Sequence, residues 1–470
     1  MLFHSTIFLL LFILFYIFYW IVPTKGKHYL ILLTSFLFYL WYSIPFFLMF
    51  LGLSVINYFF AIYLLNHKNK KVLWLILVLD ISVLAFFKYF YLFASGVGYI
   101  LQNEYWINIK ENLIRDFQIE IVLPIAISFY TFQIIAFVVD CYRNTITEKI
   151  SFRKFIIFIM FFPQFVAGPI LRAKDFIPQI DQPKFSTTNI YIGILLILQG
   201  VLKKVLIADV IGYHSADVWY RPEYYDGINY WIVMFGFAIQ VYADFSGYTD
   251  MARGMSKLLG YELPENFQGP LIASSISELW NRWHITLSSW LRDYVFIPLG
   301  GSKGGELRTY VNLIITMSLA GLWHGATWNM LIWGTLMGVY LSIERWVQLH
   351  VPIELPKNFF FSLLKRILTL TMFIVIGVFF ATPTLDKALL ILKGMFLLPE
   401  GNPMVSFETI SVLILIGLLL NYLQYDRRIK DKIYQNTSLQ ILLILLGSFV
   451  ISYLLYFYSD VGGVFIYFNF

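Results

Sequence analysis

A series of long apolar segments constrains this chain more than any other feature of its sequence. A helix rises about 1.5 Å per residue, so roughly 20 residues cross about 30 Å of hydrocarbon. We therefore expect each segment to be helical and to lie in a membrane. The segments cover residues 5–22, 29–42, 46–65, 72–94, 119–139, 154–171, 189–207, 228–243, 310–342, 366–397, 406–424 and 439–457. Two of them, 310–342 and 366–397, are too long for one span and should each hold two elements, or one span and an interfacial helix.

The composition excludes a soluble protein. Of 470 residues, 59% are hydrophobic and only 13% are charged, too few to cover the surface of a soluble chain this long. The net charge of +6 comes from basic residues in short loops, which the positive-inside rule explains without a nucleic-acid partner. One cysteine, Cys141, excludes an intrachain disulfide and a cysteine-cluster metal site. We predict one all-α polytopic membrane domain over residues 1–470, with the lipid bilayer as its surroundings.

Loop charges predict the orientation. The turns at 25–28, 67–71 and 427–430 are basic and should lie in the cytoplasm, whereas 103–118 carries three acids and should lie outside. Residues 5–22 lack the basic start and the small-residue cleavage site of a signal peptide, so we interpret them as the first span. This assignment places both termini outside the cytoplasm.

A polar segment at 262–305 interrupts the apolar pattern. Ser275 and Glu278 have the spacing of a capping box that opens a helix, and Pro298 and the glycines after it end that helix. Its apolar residues, Trp283 among them, recur at helical spacing. The helix either lies on the membrane surface or turns a polar face toward a water-filled cavity. That polar face holds Ser277, Asn281, His284, Ser288 and Arg292.

His324 lies inside an apolar stretch that carries no charge from 309 to 343. An ionisable residue at membrane depth is costly and marks a functional site by default. Histidine is also the side chain best suited to proton transfer near neutral pH. The alternative is a neutral histidine that hydrogen-bonds between helices. His284 and His324 have no third ligand at metal-binding spacing, and no serine-hydrolase elbow is present.

Several ordered motifs resemble the membrane-bound O-acyltransferase family, and specifically its bacterial branch of alginate and peptidoglycan O-acetyltransferases. The resemblance runs from about 120 to 345. The motifs are Leu-Pro at 123–124 with Ser-Phe-Tyr-Thr-Phe-Gln at 128–133, Phe-Pro-Gln at 162–164 with Ala-Gly-Pro-Ile at 167–170, Asp-Phe-Ser-Gly-Tyr-Thr-Asp-Met at 244–251, Leu-Pro-Glu-Asn-Phe at 263–267, Trp-Asn-Arg-Trp-His at 280–284, Trp-Leu-Arg-Asp-Tyr at 290–294, Ile-Pro-Leu-Gly-Gly at 297–301 and Gly-Leu-Trp-His-Gly at 321–325.

The resemblance implies a fold of about 11–13 transmembrane or re-entrant helices around a central tunnel. It implies that His324 is the catalytic general base and that His284 is the second signature residue, catalytic or structural. Other residues of the motifs are expected to contact substrate or line the tunnel: Asn281, Arg282, Trp283, Asp293, Asp244 and Trp323.

The resemblance also implies a reaction and its partners. The donor would be acetyl-CoA or another cytoplasmic acyl thioester, with no bound cofactor and no metal. The acetyl group would cross the bacterial cytoplasmic membrane to an extracytoplasmic SGNH-type acetyltransferase and then to a polysaccharide such as alginate or peptidoglycan. Two alternatives are D-alanyl transfer from a carrier protein to teichoic acid and, from another class, a transporter. A transporter should show paired repeats with broken helices in both halves, and the polar elements here cluster in one region.

The predicted topology can be measured with reporter fusions. A reporter inserted near Asn69 should read cytoplasmic, and one placed after Phe470 should read extracytoplasmic, because the basic turns stay inside. A fusion near Arg143, in another basic loop, is the matched control and should agree with Asn69. The same side for Asn69 and Phe470 would contradict the number of spans or the charge assignment.

Overall fold

A computed structural model describes residues 6–165, 168–351, 356, 358–404 and 406–458. Ala167 of the second motif and both chain termini lie outside these residues, so the predicted location of the termini stays a prediction. The described residues form helices and, apart from one bridge between Tyr225 and Asn402, no strand.

The helices in the first part of the chain are α1 (Thr6–Ile21), α2 (Thr24–Tyr42), α3 (Ile44–Asn66), α4 (Lys70–Leu101), α5 (Glu104–Ile107), α6 (Ile109–Phe117), α7 (Ile127–Tyr142), α8 (Phe152–Met160), α9 (Phe162–Phe165) and α10 (Ala173–Phe176). Those that follow are α11 (Thr187–Leu202), α12 (Val210–Tyr220), α13 (Gly227–Leu258), α14 (Ile276–Arg282), α15 (Ile285–Leu291), α16 (Glu306–His324), α17 (Trp328–His350), α18 (Phe359–Ala381), α19 (Leu385–Leu397), α20 (Phe407–Tyr425), α21 (Arg427–Gln435) and α22 (Thr437–Tyr458).

The apolar segments predict most of these helices, and the all-α polytopic class is confirmed. The segment at 154–171 is an exception, since it holds two short helices, α8 and α9, separated at Phe161. Five stretches of the described residues are long and apolar enough to cross a membrane: α3, α4, Thr187–Tyr220, α18 and α20. Together α21 and α22 are also long and apolar enough, but their axes are bent by 99°. Both overlong segments hold two helices each, α16 with α17 and α18 with α19. The segment at 119–139 is helical only from Ile127. The exact number of crossings stays a prediction.

The residues fall into two compact units, one of 10–184 with 261–263 and one of 1–9, 185–260 and 264–470. In the first unit, α7 is buried from Ile127 to Cys141. In the same unit the amide of Asn57 on α3 donates to Asp80 on α4 at 2.7 Å, so a carboxyl group inside an apolar helix has a polar partner.

The second unit carries the predicted site, and glycines bring its helices close together. A Cβ on Gly200 of α11 would lie 2.5 Å from the carbonyl oxygen of Gly247 on α13. In the α16–α17 hairpin, a Cβ on Gly334 would lie 2.3 Å from the carbonyl oxygen of Met317. Small residues let helix backbones approach within a membrane, where van der Waals packing replaces the hydrophobic effect between helices. The α16–α17 contact positions His324 at the end of α16.

A π-helical segment, Lys203–Asp209, joins α11 to α12 and buries two successive lysines. Lys203 bonds Asp250 at 2.6 Å, and Lys204 bonds Asp209 at 2.7 Å and Asp244 at 2.8 Å. The wider turn of a π-helix lets neighbouring residues face the same helix, here α13. The carboxylates of Asp244 and Asp250 on α13 are therefore neutralised by buried lysines. With these partners the helix extends to Leu258, well past the apolar segment 228–243.

Replacing Gly334 with Ala should destabilise the protein, because the new methyl group collides with the backbone of α16. Overpacking of this kind costs about 1–3 kcal/mol, which a thermal unfolding midpoint in detergent will register. Gly52→Ala is the matched control, since a Cβ on Gly52 has no neighbour within 4 Å. Equal midpoints for the two variants would show that the hairpin does not need its close contact.

Candidate active site

The polar segment forms two short helices with a break between them, which corrects the prediction of one continuous helix. The break lies at Trp283 and His284, and His284 takes a left-handed backbone conformation with a φ of 42°. The segment at 266–268, which precedes both helices, supplies the backbone partners that the break leaves missing. The N–H of Gln268 donates to the carbonyl of Arg282, and the N–H of Ile285 donates to the carbonyl of Asn266, each at 3.0 Å. A broken helix at membrane depth requires such partners, because lipid offers none.

The start of α14 is held by side chains from two directions. The Ser275 hydroxyl accepts from the backbone N–H of Glu278 at 3.0 Å, which confirms this half of the predicted capping box. The Glu278 carboxylate turns instead to the N–H and hydroxyl of Ser274, each at 2.7 Å. From α17, Glu344 accepts from the backbone N–H of Ile276 at 2.7 Å and of the next residue at 3.2 Å. The α14 segment is thereby fixed to the hairpin that carries His324.

Asn266 determines the tautomer of His284. Its Oδ1 accepts from the backbone N–H of Thr286 at 3.1 Å and from the Thr286 hydroxyl at 2.9 Å. A backbone N–H can only donate, so the Asn266 atom there is the oxygen, and the His284 Nδ1 at 3.2 Å from it must carry its hydrogen. The His284 side chain is completely buried and its hydrogen-bond partner is a neutral amide, which favours a neutral ring. Its Nε2 then offers a lone pair, with no hydrogen-bond partner among the described residues.

His324 ends α16 and lies among aromatic rings. Its side chain is 3% exposed, and its ring meets those of Trp333 and Phe380 edge-on, each at 5.3 Å between centroids. The Trp323 ring lies 5.0 Å from His324 and 5.7 Å from His284. Edge contacts of this kind restrict the orientation of the imidazole.

Two cavities meet at His324. The smaller, of about 440 Å³, is apolar and is lined by Met234, Phe237, Ala238, Val241, Trp283, His324, Trp333, Phe373, Ile374, Gly377 and Phe380. The larger, of about 1090 Å³, is more polar and is lined by Ser277, Trp280, Asn281, Ile285, Leu287, Ser288, Ser289, Leu291, Arg292, Phe296, Leu313, Thr316, Met317, Ala320, His324 and Leu341. His324 is the residue common to both.

Three residues of the predicted site line these cavities. His324 lines both, Asn281 lines the polar one and Trp283 lines the apolar one. The predicted polar face of the helix is also present: Ser277, Asn281, Ser288 and Arg292 all border the polar cavity, on both sides of the break. His284 leaves that face because its backbone is left-handed, and its ring lies 4.6 Å from that of Phe245 instead.

Four other residues of the predicted site, Arg282, Asp293, Asp244 and Trp323, are not among the residues that line these two cavities, and their contact with substrate stays a prediction. Arg282 pairs with Glu278 and stacks over the ring of Tyr425, 4.3 Å from its centroid. Asp293 pairs with the Arg292 guanidinium at 2.8 Å. Asp244 bonds Lys204, and Trp323 is buried between the two histidines. In each case a partner from another element, or from the adjacent residue, takes the side chain away from the cavities.

Sequence reasoning missed Asn266, Glu344, Trp333 and Phe380. Asn266 is part of the Leu-Pro-Glu-Asn-Phe motif at 263–267, so the motif signalled it without giving its role. Trp333 and Phe380 are aromatic residues in aromatic-rich apolar helices, and nothing in their sequence positions distinguishes them.

The family model for membrane-bound O-acyltransferases matches residues 36–384. The chain belongs to this family. It is 35% identical over 408 residues to a probable alginate O-acetylase of Pseudomonas aeruginosa, covering 84% of this chain and 75% of the relative. It is 34% identical over 402 residues to a peptidoglycan O-acetyltransferase of Helicobacter pylori, covering 78% and 73%. A teichoic acid D-alanyltransferase of Bacillus subtilis is 30% identical over 261 residues, 52% of this chain and 65% of that protein.

The membrane-bound O-acyltransferase resemblance is therefore confirmed, and the protein is a multi-pass membrane acyltransferase. Family membership favours the enzyme prediction over the transporter alternative.

Asn266→Ala should destabilise this acyltransferase, because the His284 Nδ1–H and the Thr286 N–H lose their acceptor. Each orphaned buried group costs about 1–3 kcal/mol. Asn266→Asp keeps the accepting oxygens and should retain more of the thermal unfolding midpoint in detergent. If Ala and Asp lower the midpoint equally, the acceptor role assigned to Asn266 is wrong.

Proposed function

We propose that this protein is an O-acetyltransferase that uses His324 as general base. It takes an acetyl group from a cytoplasmic thioester, acetyl-CoA or another, and delivers it for O-acetylation of an extracytoplasmic polysaccharide such as alginate or peptidoglycan. The observation that carries the proposal is the position of His324 on the wall of both cavities. A single imidazole can there face a thioester from one side and a hydroxyl from the other.

The chemistry needs one mobile proton. A neutral imidazole nitrogen of His324 removes the hydroxyl proton as the oxygen attacks the thioester carbonyl, and the resulting tetrahedral oxyanion expels the thiolate. The imidazolium returns the proton to that sulfur, so the products are an ester, a thiol and neutral His324. General-base catalysis of this kind contributes about 10²–10⁴-fold. His284 borders neither cavity, so we assign it the role of positioning Trp323, which packs against His324.

The polar cavity is the proposed entry for the donor. The stretch 292–308, from the end of α15 into the first turn of α16, carries Arg292, Lys303 and Arg308 against Asp293 and Glu306, and a basic excess favours the cytoplasmic side. Arg292 and Asn281 on the cavity wall offer N–H donors to an anionic carrier such as CoA. The apolar cavity would then lead toward the extracytoplasmic face and an SGNH-type partner.

Acetyl is favoured over D-alanyl by the charges around the site. A D-alanyl thioester carries an ammonium group, which needs a carboxylate or several carbonyl acceptors when it leaves water. Neither cavity is lined by Asp or Glu, and the charged residue on their walls is a cation, Arg292. The relatives agree, since the match to the acetylating proteins covers 78–84% of the chain and that to the D-alanyltransferase 52%.

His324→Gln is the decisive variant. Gln keeps polarity and hydrogen bonding but cannot accept a proton near neutral pH, so the variant should purify with a normal thermal midpoint while acetyl transfer falls by 10²-fold or more. The assay is transfer of labelled acetyl from acetyl-CoA, added at the inner face of membrane vesicles that contain the partner and acceptor. His284→Ala is the comparison variant and should lose less activity.

Two results would contradict different parts of the proposal, the general base and the acyl donor. A well-folded His324→Gln variant with wild-type transfer would overturn the base assignment. Transfer that depends strictly on an aminoacylated carrier protein would move the chain to the D-alanylating branch while leaving His324 as base.

A further inference from the structure

A third cavity, of about 1130 Å³, lies in the second unit and shares no residue with the two cavities at His324. Its walls come from α11, α13, α20 and the α21–α22 elbow, and leucine predominates among their apolar residues. The apolar wall residues are Leu195, Leu196, Leu198, Leu202, Leu420, Leu423, Ile429, Ile433, Leu443 and Gly447. Such a wall suits a hydrocarbon chain.

One end of this cavity is charged. Arg253 of α13 lies 3.6 Å from Asp250 and 3.2 Å from Glu265, and Lys430 of α21 also pairs with Glu265. Asp250 is already bonded by the buried Lys203 at 2.6 Å. The connected set holds three cations and two carboxylates, so it carries one excess positive charge.

An N–H group at the charged end lacks an acceptor. The Nε of Arg253 is buried and has no hydrogen-bond partner among the described residues, although the side chain borders the cavity. Nε itself does not open onto the cavity, but the Arg253 side chain as a whole is 15% exposed and borders it. Phosphodiester oxygens in the cavity suit a guanidinium on its wall, since arginine matches phosphate geometry.

The position of the cavity identifies the source of the phosphate. Its apolar walls include α20 and α11, and both α20 and the continuous stretch Thr187–Tyr220 that contains α11 are long and apolar enough to cross a membrane. Beside them α21 carries Arg427, Arg428, Lys430 and Lys432, buries no residue and turns by 99° into α22, as an interfacial helix does. Basic helices of this kind attract anionic lipids of the cytoplasmic leaflet.

We propose that this cavity binds one anionic phospholipid of the inner leaflet. Arg253 and Lys430 hold its phosphodiester, and an acyl chain lies along the leucine wall. The single excess positive charge matches the single negative charge of a phosphatidylglycerol headgroup. The proposal is independent of the acetyl donor and of the role of His324.

The lipid would also act on the segment at 265–268, which bonds to the helix break at His284. Glu265, which pairs with both cations, precedes Asn266, the residue that orients His284, and the amide of Gln268 donates to Glu265 at 3.0 Å. Binding at the charged end therefore stabilises the segment whose backbone closes the helix break. The expected consequence is a higher unfolding midpoint with lipid bound.

The test compares the full-length protein in nanodiscs of phosphatidylcholine alone and with 30 mol% phosphatidylglycerol. The anionic lipid should raise the thermal midpoint by several degrees and remain on the protein in native mass spectrometry. Arg253→Gln and Lys430→Gln should each lose most of that shift. Lys432→Gln removes the same charge from α21 but does not border the cavity, so it should keep the shift.

A second variant tests the apolar wall without touching a charge. A Cβ on Gly447 meets only Leu198, at 3.4 Å, so Gly447→Leu fits the fold but fills the cavity, and it should abolish lipid retention. Glycerophosphoglycerol and inorganic phosphate, added to the phosphatidylcholine nanodiscs, should give no comparable shift. Two results would overturn the proposal: an equal shift with these soluble anions, or an equal shift in all three charge variants including Lys432→Gln. An unfolding midpoint in pure phosphatidylcholine equal to that with phosphatidylglycerol would overturn it as well.

Discussion

The hydrogen bonds between Asn266 and the helix break at His284 are the constraint on which the rest of the site depends. Without them, two backbone groups and an imidazole N–H would be buried with no partner, and the helix would have to continue. Continuation would place His284 on the polar face with Asn281 and Ser288. The break instead turns the His284 ring toward Asn266, while Asn281 and Ser288 remain on the wall of the polar cavity.

A second constraint is the charge buried on α13. The π-helical segment brings Lys203 and Lys204 against α13, so the carboxylates of Asp244 and Asp250 are neutralised within the protein. A buried carboxylate without a partner would be strongly destabilising, so these pairs are a condition for a polar helix at this depth. On the wall of the polar cavity the charged residue is Arg292, whose guanidinium also pairs with the neighbouring Asp293.

The sequence predicted the parts of the fold that depend on local pattern. Apolar length identified the helices and the two hairpins, and an ionisable residue in an apolar stretch identified His324. It could not predict the orientation of His284, because a single left-handed residue depends on an acceptor 18 residues earlier in the chain. It also could not predict the ion pair of Asp244, since a motif shows that a residue matters but not that Lys204, on another helical segment, pairs with it.

The aromatic residues at the junction constrain what can be transferred. Trp280 lines the polar cavity and Trp333 the apolar one, and their rings meet at 5.9 Å. Phe380 closes the other side of Trp333 at 5.0 Å and also contacts His324. Rings packed edge to face leave little width beside the imidazole, and opening a gap would forfeit their packing. A two-carbon acyl group needs less of that gap than a long chain does, so the packing around His324 and the proposed acetyl transfer agree.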